Sequence, residues 1–146
     1  MEIEIRQARF ADLKRMLEIE NASFPIHPWD REIFLNYMRD CGDMFFVAKL
    51  GRRVCGYVII AKEATRAELA SIAVDPAYRG RGIAHKMMEH TLSLLRDAKI
   101  ETWWLTARVN NVTAINFYTS LGFRRTRTVK SYYENGEDGL RMQLKL

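Results

Sequence analysis

The chain has 146 residues, 48% hydrophobic and 28% charged, and a formal net charge of +5. That is the length of one ordinary globular domain, able to bury a core without disulfide or metal staples. No apolar run approaches the roughly 20 residues that a bilayer-crossing helix needs, so neither a membrane span nor a membrane partner is expected.

The first residues, Met1-Glu2-Ile3-Glu4-Ile5-Arg6, alternate like a strand and lack the apolar stretch of a signal peptide, which sets the expectation of a cytoplasmic protein. Residues 2–9 are predicted as that strand. Leu13, Met16, Leu17 and Glu20 then follow helical spacing up to Ser23-Phe24-Pro25. After a loop through Pro28-Trp29, Asp30 reads as the N-cap of a second helix with Ile33, Phe34, Tyr37 and Met38 on its apolar side and Gly42 near its end. Met44 to Leu50 and Val54 to Ala61 are apolar runs separated by Gly51-Arg52-Arg53, the composition of a hairpin.

Ala67 to Val74 reads as a further strand, and Ile83, Met87, Met88, Thr91, Leu94 and Leu95 lie on one face of a long helix. Thr102 to Ala107 is predicted as a strand and Val112 to Leu121 as a helix. Phe123 to Tyr132 and Gly139 to Leu146 close the chain as an antiparallel pair around Asn135-Gly136. No repeat, low-complexity tract or linker divides the sequence, so residues 1–146 are expected to form a single domain, a mixed α/β sheet with helices on its faces.

Cys41 and Cys55 have no partners at metal-ligand spacing, so buried thiols are expected and no metal. The positive charge suits a polyanion, either nucleic acid or a phosphorylated small molecule. The basic residues are dispersed, and the densest group, Arg124 to Lys130, partly alternates like one solvated face of a strand. Direct nucleic-acid binding is therefore the weaker reading.

Chemistry concentrates where the strand ending Ile72-Ala73-Val74-Asp75-Pro76 meets a helix through Arg79-Gly80-Arg81-Gly82-Ile83-Ala84. Glycine lets the backbone approach a ligand, successive amides at a helix start present unpaired N–H groups, and two arginines add charge-assisted contacts to a diphosphate. The same residues also suit a simple tight turn.

Arg79-x-x-Gly82-x-Ala84 resembles the acetyl-CoA pyrophosphate motif of the GNAT superfamily of N-acetyltransferases. Downstream, Asn111 through Tyr118 to Gly122-Phe123 resembles that family's second signature. The resemblance covers nearly the whole chain and implies the GNAT fold, a mostly antiparallel central sheet splayed at the acetyl-CoA strand with helices on both faces. It implies acetyl-CoA as cosubstrate, held by Ile72, Ala73 and Val74, by residues 79–84 and by Asn111. Amide donors aimed at a developing oxyanion commonly lower the barrier to acyl transfer more than any other single interaction. Tyr118 would protonate the departing thiolate. Read as residues alone, Asn111 equally suits a helix N-cap and Tyr118 an aromatic on an amphipathic helix.

The resemblance narrows to the RimI-like branch that acetylates protein N-termini. Phe24-Pro25-Ile26-His27-Pro28-Trp29 is similar to its Phe-Pro…Pro-Trp loop, and Ser131-Tyr132-Tyr133 through Gly139 to its Tyr-Tyr…Gly-Glu-Asp hairpin. It implies a peptide or protein N-terminus as acceptor, ribosomal proteins among them, gripped by Phe24, Pro25, Trp29, Tyr132 and Tyr133, with hairpin carboxylates favouring a positive terminus. Equally, Phe24, Pro25 and Trp29 suit a packed corner, and Asn135-Gly136 a plain turn.

An amine attacks only when neutral, so a base must take its proton. The branch usually reads Leu-Glu-Val-Arg before the Asn motif, with that Glu as candidate base; this chain has Leu105-Thr106-Ala107-Arg108. Threonine cannot replace a carboxylate, and Glu68, at the start of the cofactor strand, is the replacement candidate. Against the N-terminal reading stand transfer to a small-molecule amine or a lysine side chain, and a non-catalytic acetyl-CoA-binding module.

Overall fold

The structure, a computed structural model, describes residues 2–146. In chain order its elements are β1 (Ile3–Gln7), α1 (Leu13–Ser23), α2 (Arg31–Cys41), β2 (Phe45–Leu50), β3 (Arg53–Glu63), β4 (Arg66–Val74), α3 (Ile83–Asp97), β5 (Thr102–Arg108), α4 (Val112–Ser120), β6 (Arg124–Val129) and β7 (Gly139–Lys145). The seven strands hydrogen-bond in the order β1-β2-β3-β4-β5-β7-β6. The β1/β2, β2/β3, β5/β7 and β6/β7 pairs are antiparallel, and β4/β5 is parallel. The chain divides into two compact units, Met1–Ala61 with Ala70–Leu95, and Lys62–Leu69 with Arg96–Leu146.

In the first unit, helical spacing puts Leu13, Met16 and Ile19 of α1 and Phe34 of α2 into a core with Phe45 and Val47 of β2 and Val54, Tyr57 and Ile59 of β3. Phe34 meets the Tyr57 ring edge-on at 5.3 Å. Asp30 caps α2 as expected, its side chain accepting from the Ile33 N–H at 3.0 Å. Gly56 is required by packing: a Cβ there would sit 2.9 Å from the Ala73 carbonyl oxygen and 3.1 Å from Met87 Cε. β3 can therefore lie close to β4 and α3 only with glycine at this position.

The expected first strand is shorter than its alternation suggested, because the chain turns at Phe10–Asp12, a short 3-10 helix, before α1. Asp12 anchors that turn. Its carboxylate, 6% exposed, accepts from both terminal nitrogens of Arg6, each at 2.8 Å, and from the Arg9 N–H at 2.8 Å.

In the second unit, Trp103, Leu105, Ile115, Tyr118, Phe123, Leu140 and Met142 are buried together by strand alternation on β5 and β7 and by one face of α4. Trp103 and Phe123 meet edge-on at 5.4 Å. In parallel register, Arg66, Ala67 and Glu68 of β4 face Thr102, Trp103 and Trp104 of β5.

Two expectations are corrected. β6 does not alternate: Arg124 to Thr128 are all exposed, because the strand lies at the sheet's end with β7 as its neighbour and a register shift falls between Arg125 and Arg127. Charges and a bulge on an end strand discourage pairing with another chain. Of the two cysteines, neither in a disulfide, Cys55 is buried as expected and Cys41, at the end of α2, is only half-buried.

Burial pushes the Asp12 carboxyl up, but the Arg6 guanidinium and the Arg9 amide outweigh it and hold the group below its ordinary 3.8. A depressed carboxyl stabilises the fold above its unfolded value, and that stabilisation is lost as pH falls through the folded value. Asp12→Asn is therefore expected to lower the unfolding free energy at pH 7 by about 1–3 kcal/mol. The deficit should shrink progressively as pH falls below 3.8, as read by denaturant titration across that range.

Candidate active site

In the first unit, β4 is followed directly by Asp75, whose backbone N–H donates to the Cys55 carbonyl at 2.7 Å. One carboxylate oxygen accepts from the Ala77 N–H at 2.9 Å and the other from Arg15 Nη2 of α1. Arg15 Nε donates to the Val54 carbonyl at 2.8 Å, so one guanidinium ties the end of β4 to the start of β3. Beyond Tyr78 the chain passes through Gly80 and Gly82, both at φ +78° with nothing within 4 Å of a notional Cβ. That is the left-handed region, which glycine enters without penalty. The first backbone bond of α3 runs from Lys86 N–H to the Gly82 carbonyl at 3.0 Å.

The result is an open, glycine-built turn leading into a 15-residue helix, with Arg79, Gly80, Arg81 and Gly82 exposed, Ile83 buried and Ala84 half-buried. Arg81 lies 5.0 Å over the Tyr78 ring, and Arg79 Nε reaches the Val74 carbonyl at 3.3 Å. Amides at the positive end of a helix dipole, with two guanidinium groups on the same short turn, fit a diphosphate. Ala73 is buried, while Ile72 and Val74 are half-buried.

The loop of residues 24–29 is held by a carboxylate that helical spacing marks only as a position on α1. Glu20, 2% exposed, accepts from the Trp29 N–H at 2.8 Å and from the Tyr57 hydroxyl. Burial raises Glu20 above the usual carboxylate range. The signal in the sequence is a carboxylate in the apolar stripe of α1, one turn on from Met16. Trp29 stacks on Tyr37 at 5.0 Å and meets Phe34 edge-on at 6.1 Å, and Phe24 packs on the same core, so both contribute to a packed corner. Pro25, Ile26 and His27 are the exposed residues of this loop.

In the second unit, Asn111 caps α4, its Oδ1 accepting from the Ala114 N–H at 3.2 Å. Tyr118 is buried on α4 with its ring edge-on to Phe123 at 5.9 Å. Burial, with a smaller contribution from Tyr133, pushes its phenol far above the ordinary 10.0, so it stays protonated at any working pH. Glu68 is half-buried; burial raises its carboxyl above the ordinary 4.5 and Arg141 partly offsets this. A carboxylate displaced toward neutrality is suited to take a proton.

Thr106, in the place of the usual glutamate, is half-buried and accepts from Arg141 Nε at 3.4 Å. The Tyr133 hydroxyl donates to the Thr106 carbonyl at 3.4 Å, and Tyr132 is exposed with its ring edge-on to Tyr133 at 4.9 Å. Two of the hairpin carboxylates have partners close by. Asp138 accepts from the Ser131 N–H at 2.9 Å, while Glu137 pairs with Arg108 at 3.4 Å and accepts from Asn135 at 2.6 Å.

Among the described residues, no cluster of His, Cys, Asp and Glu could hold a metal, and no helix is long and apolar enough to cross a membrane.

Residues 12–123 match the Acetyltransferase (GNAT) family. The chain is 30% identical to the N-alpha-acetyltransferase of Saccharolobus solfataricus over 94% of its own length and 90% of that protein. It is also 30% identical to the ribosomal protein bS18-alanine N-acetyltransferase of Salmonella typhimurium, over 91% of this chain and 90% of that one. In three dimensions it superposes on Ard1 from Thermoplasma volcanium with a TM-score of 0.94 at 25% identity, covering 99% of this chain and 97% of the other. With the family match spanning both motifs and relatives aligned almost end to end, the chain belongs to the GNAT acetyltransferase family.

Proposed function

We propose that residues 1–146 act as one cytoplasmic N-acetyltransferase domain that moves an acetyl group from acetyl-CoA to the α-amine of a protein or peptide N-terminus, ribosomal proteins among the acceptors. The observation that carries the choice of acceptor is that two relatives, each matched over 90% of its length, are both named for transfer to an α-amine or to an N-terminal alanine. The glycine turn of residues 79–84 supports the cosubstrate.

Acetyl-CoA, when bound, supplies an acetyl thioester. Residues 79–84 hold its diphosphate through backbone amides and the Arg79 and Arg81 side chains. Ile72, Ala73 and Val74 offer backbone groups to the pantetheine arm and to the thioester carbonyl, where preorganised donors stabilise developing negative charge. Asn111 joins them from the start of α4 while capping that helix. For the acceptor's first residues the proposed contacts are Phe24, Pro25 and Trp29 in the first unit and, separately, Tyr132 and Tyr133 in the second.

An α-amine with a pKa of about 8 is largely charged at neutral pH, so its proton must be removed. Glu68 takes it. The displaced thiolate needs a proton in return, and Tyr118 is the donor: its buried phenol is protonated over the whole working range. Proton removal at the amine and delivery at the sulfur thus fall to separate groups, whose environments set their protonation states apart.

The test is release of free thiol from acetyl-CoA with three acceptor sets: peptides beginning Ser, Ala or Met, N-blocked peptides carrying lysine, and small amines. Turnover of the free N-termini is expected, with the acetyl group located there by mass. Turnover confined to lysine or small amines overturns the acceptor, and acetyl-CoA binding without transfer to any acceptor favours the non-catalytic module. Glu68→Gln is expected to lower kcat/KM about 100-fold. Because Glu68 must be ionised to act and its carboxyl is raised, the wild-type rate should fall on the acid side at a pH above the ordinary 4.5, and the variant should lack that limb. An unchanged rate and profile would remove Glu68 from this role.

A further inference from the structure

On β5, alternation sets Trp104, Thr106 and Arg108 on one face while Leu105 and Ala107 are buried on the other. The middle position of that open face is Thr106, and the group that meets it is a guanidinium. Thr106 lies in register with Arg141 of β7, and Arg141 Nε donates to its hydroxyl at 3.4 Å. The Arg141 guanidinium also lies 4.6 Å over the Trp104 ring, with that of Arg66 at 5.9 Å from the same ring. Next along the face, Arg108 sits 4.0 Å over Tyr133.

Three acidic groups near Arg141 and Arg108 already have partners. Glu137 is engaged by Arg108 and Asn135, and Asp138 by the Ser131 amide. Glu68, in register with Trp104, interacts electrostatically with Arg141. The bond from Arg141 to Thr106 uses Nε, which leaves the paired Nη donors, the geometry that meets a carboxylate fork to fork.

We propose that Arg141 determines acceptor specificity, selecting N-termini whose first residue carries a carboxylate side chain, Asp or Glu, over neutral residues and over Lys or Arg. The proposal rests on the reading that the Glu68 face receives the acceptor. When Glu68 takes the acceptor's proton it becomes neutral, and the acceptor carboxylate is then the negative charge that answers Arg141. The preference therefore strengthens as the proton is transferred, which places it in kcat as well as in KM. A cation beside the acceptor also favours the neutral, attacking form of the α-amine.

The experiment compares wild-type enzyme on peptides identical except for a first residue of Asp, Glu, Ser, Ala or Lys, read as kcat/KM for thiol release. Asp-first and Glu-first peptides are expected to exceed Ala-first by about tenfold, with Lys-first lowest. The advantage should fall toward unity as NaCl approaches about 0.5 M. Arg141→Gln should collapse the acidic-to-neutral ratio whatever its absolute rates, and Arg141→Glu should turn the ranking toward Lys. If neither variant folds, the wild-type ranking and its salt dependence decide the matter. Wild-type turnover of Ser-first and Ala-first peptides with no acidic advantage overturns this inference and leaves N-terminal acetylation standing. Failure to turn over any peptide N-terminus, while other amines react, overturns the functional reading on which it rests.

Discussion

The way β4 ends governs the chemistry of the first unit. Asp75 receives the Ala77 amide on one oxygen and Arg15 on the other, while its own amide is taken by Cys55. Burial works against the charge of this carboxylate, but the amide and the guanidinium outweigh it and keep the group below the ordinary 3.8. Because Arg15 also holds Val54, helix α1, the start of β3 and the end of β4 share one ionic anchor. The chain leaving that anchor can then place two left-handed glycines in its next residues, and the amides they expose need not be satisfied by side chains. On the proposed reading this turn stays open for a diphosphate, and Asp75 fixes its entry.

In the second unit the proposed mechanism calls for the handling of two protons. Tyr118 is kept protonated by burial among Phe117, Phe123 and the α4 core, whereas Glu68 is half-buried on an open face beside Arg141. Loss of the usual glutamate at residue 106 does not leave that face without titratable chemistry. The base proposed for it is Glu68, one strand over, and the group that meets the threonine is a guanidinium. The same substitution thus accounts for the proposed base and for the proposed acceptor preference.

Much of this is legible in the sequence, because the relevant signals are local. Apolar spacing marks α1 to α4, Asp30 reads correctly as a cap, and the glycine–arginine turn announces both its conformation and its place between a strand and a helix. Asn111 carries two readings, and the structure shows its capping bond. What escapes is long-range. Arg15 and Asp75 are 60 residues apart, and nothing in either neighbourhood announces the pair. Arg141 reads as an ordinary solvated strand residue until β7 is known to lie beside β5, with β6 outside it. Glu20 falls in the stripe of α1 with no visible partner, because Tyr57 and the Trp29 amide reach it only after folding.

The most direct measurement is amide hydrogen exchange of the whole chain with and without coenzyme A, followed peptide by peptide. If the Asp75-anchored turn is the diphosphate cradle, residues 79–84 and the adjoining end of β4 should exchange more slowly on addition of the nucleotide, while the exposed β6 strand should be unaffected. Saturating coenzyme A with no change in the turn, or protection centred elsewhere, would contradict the account.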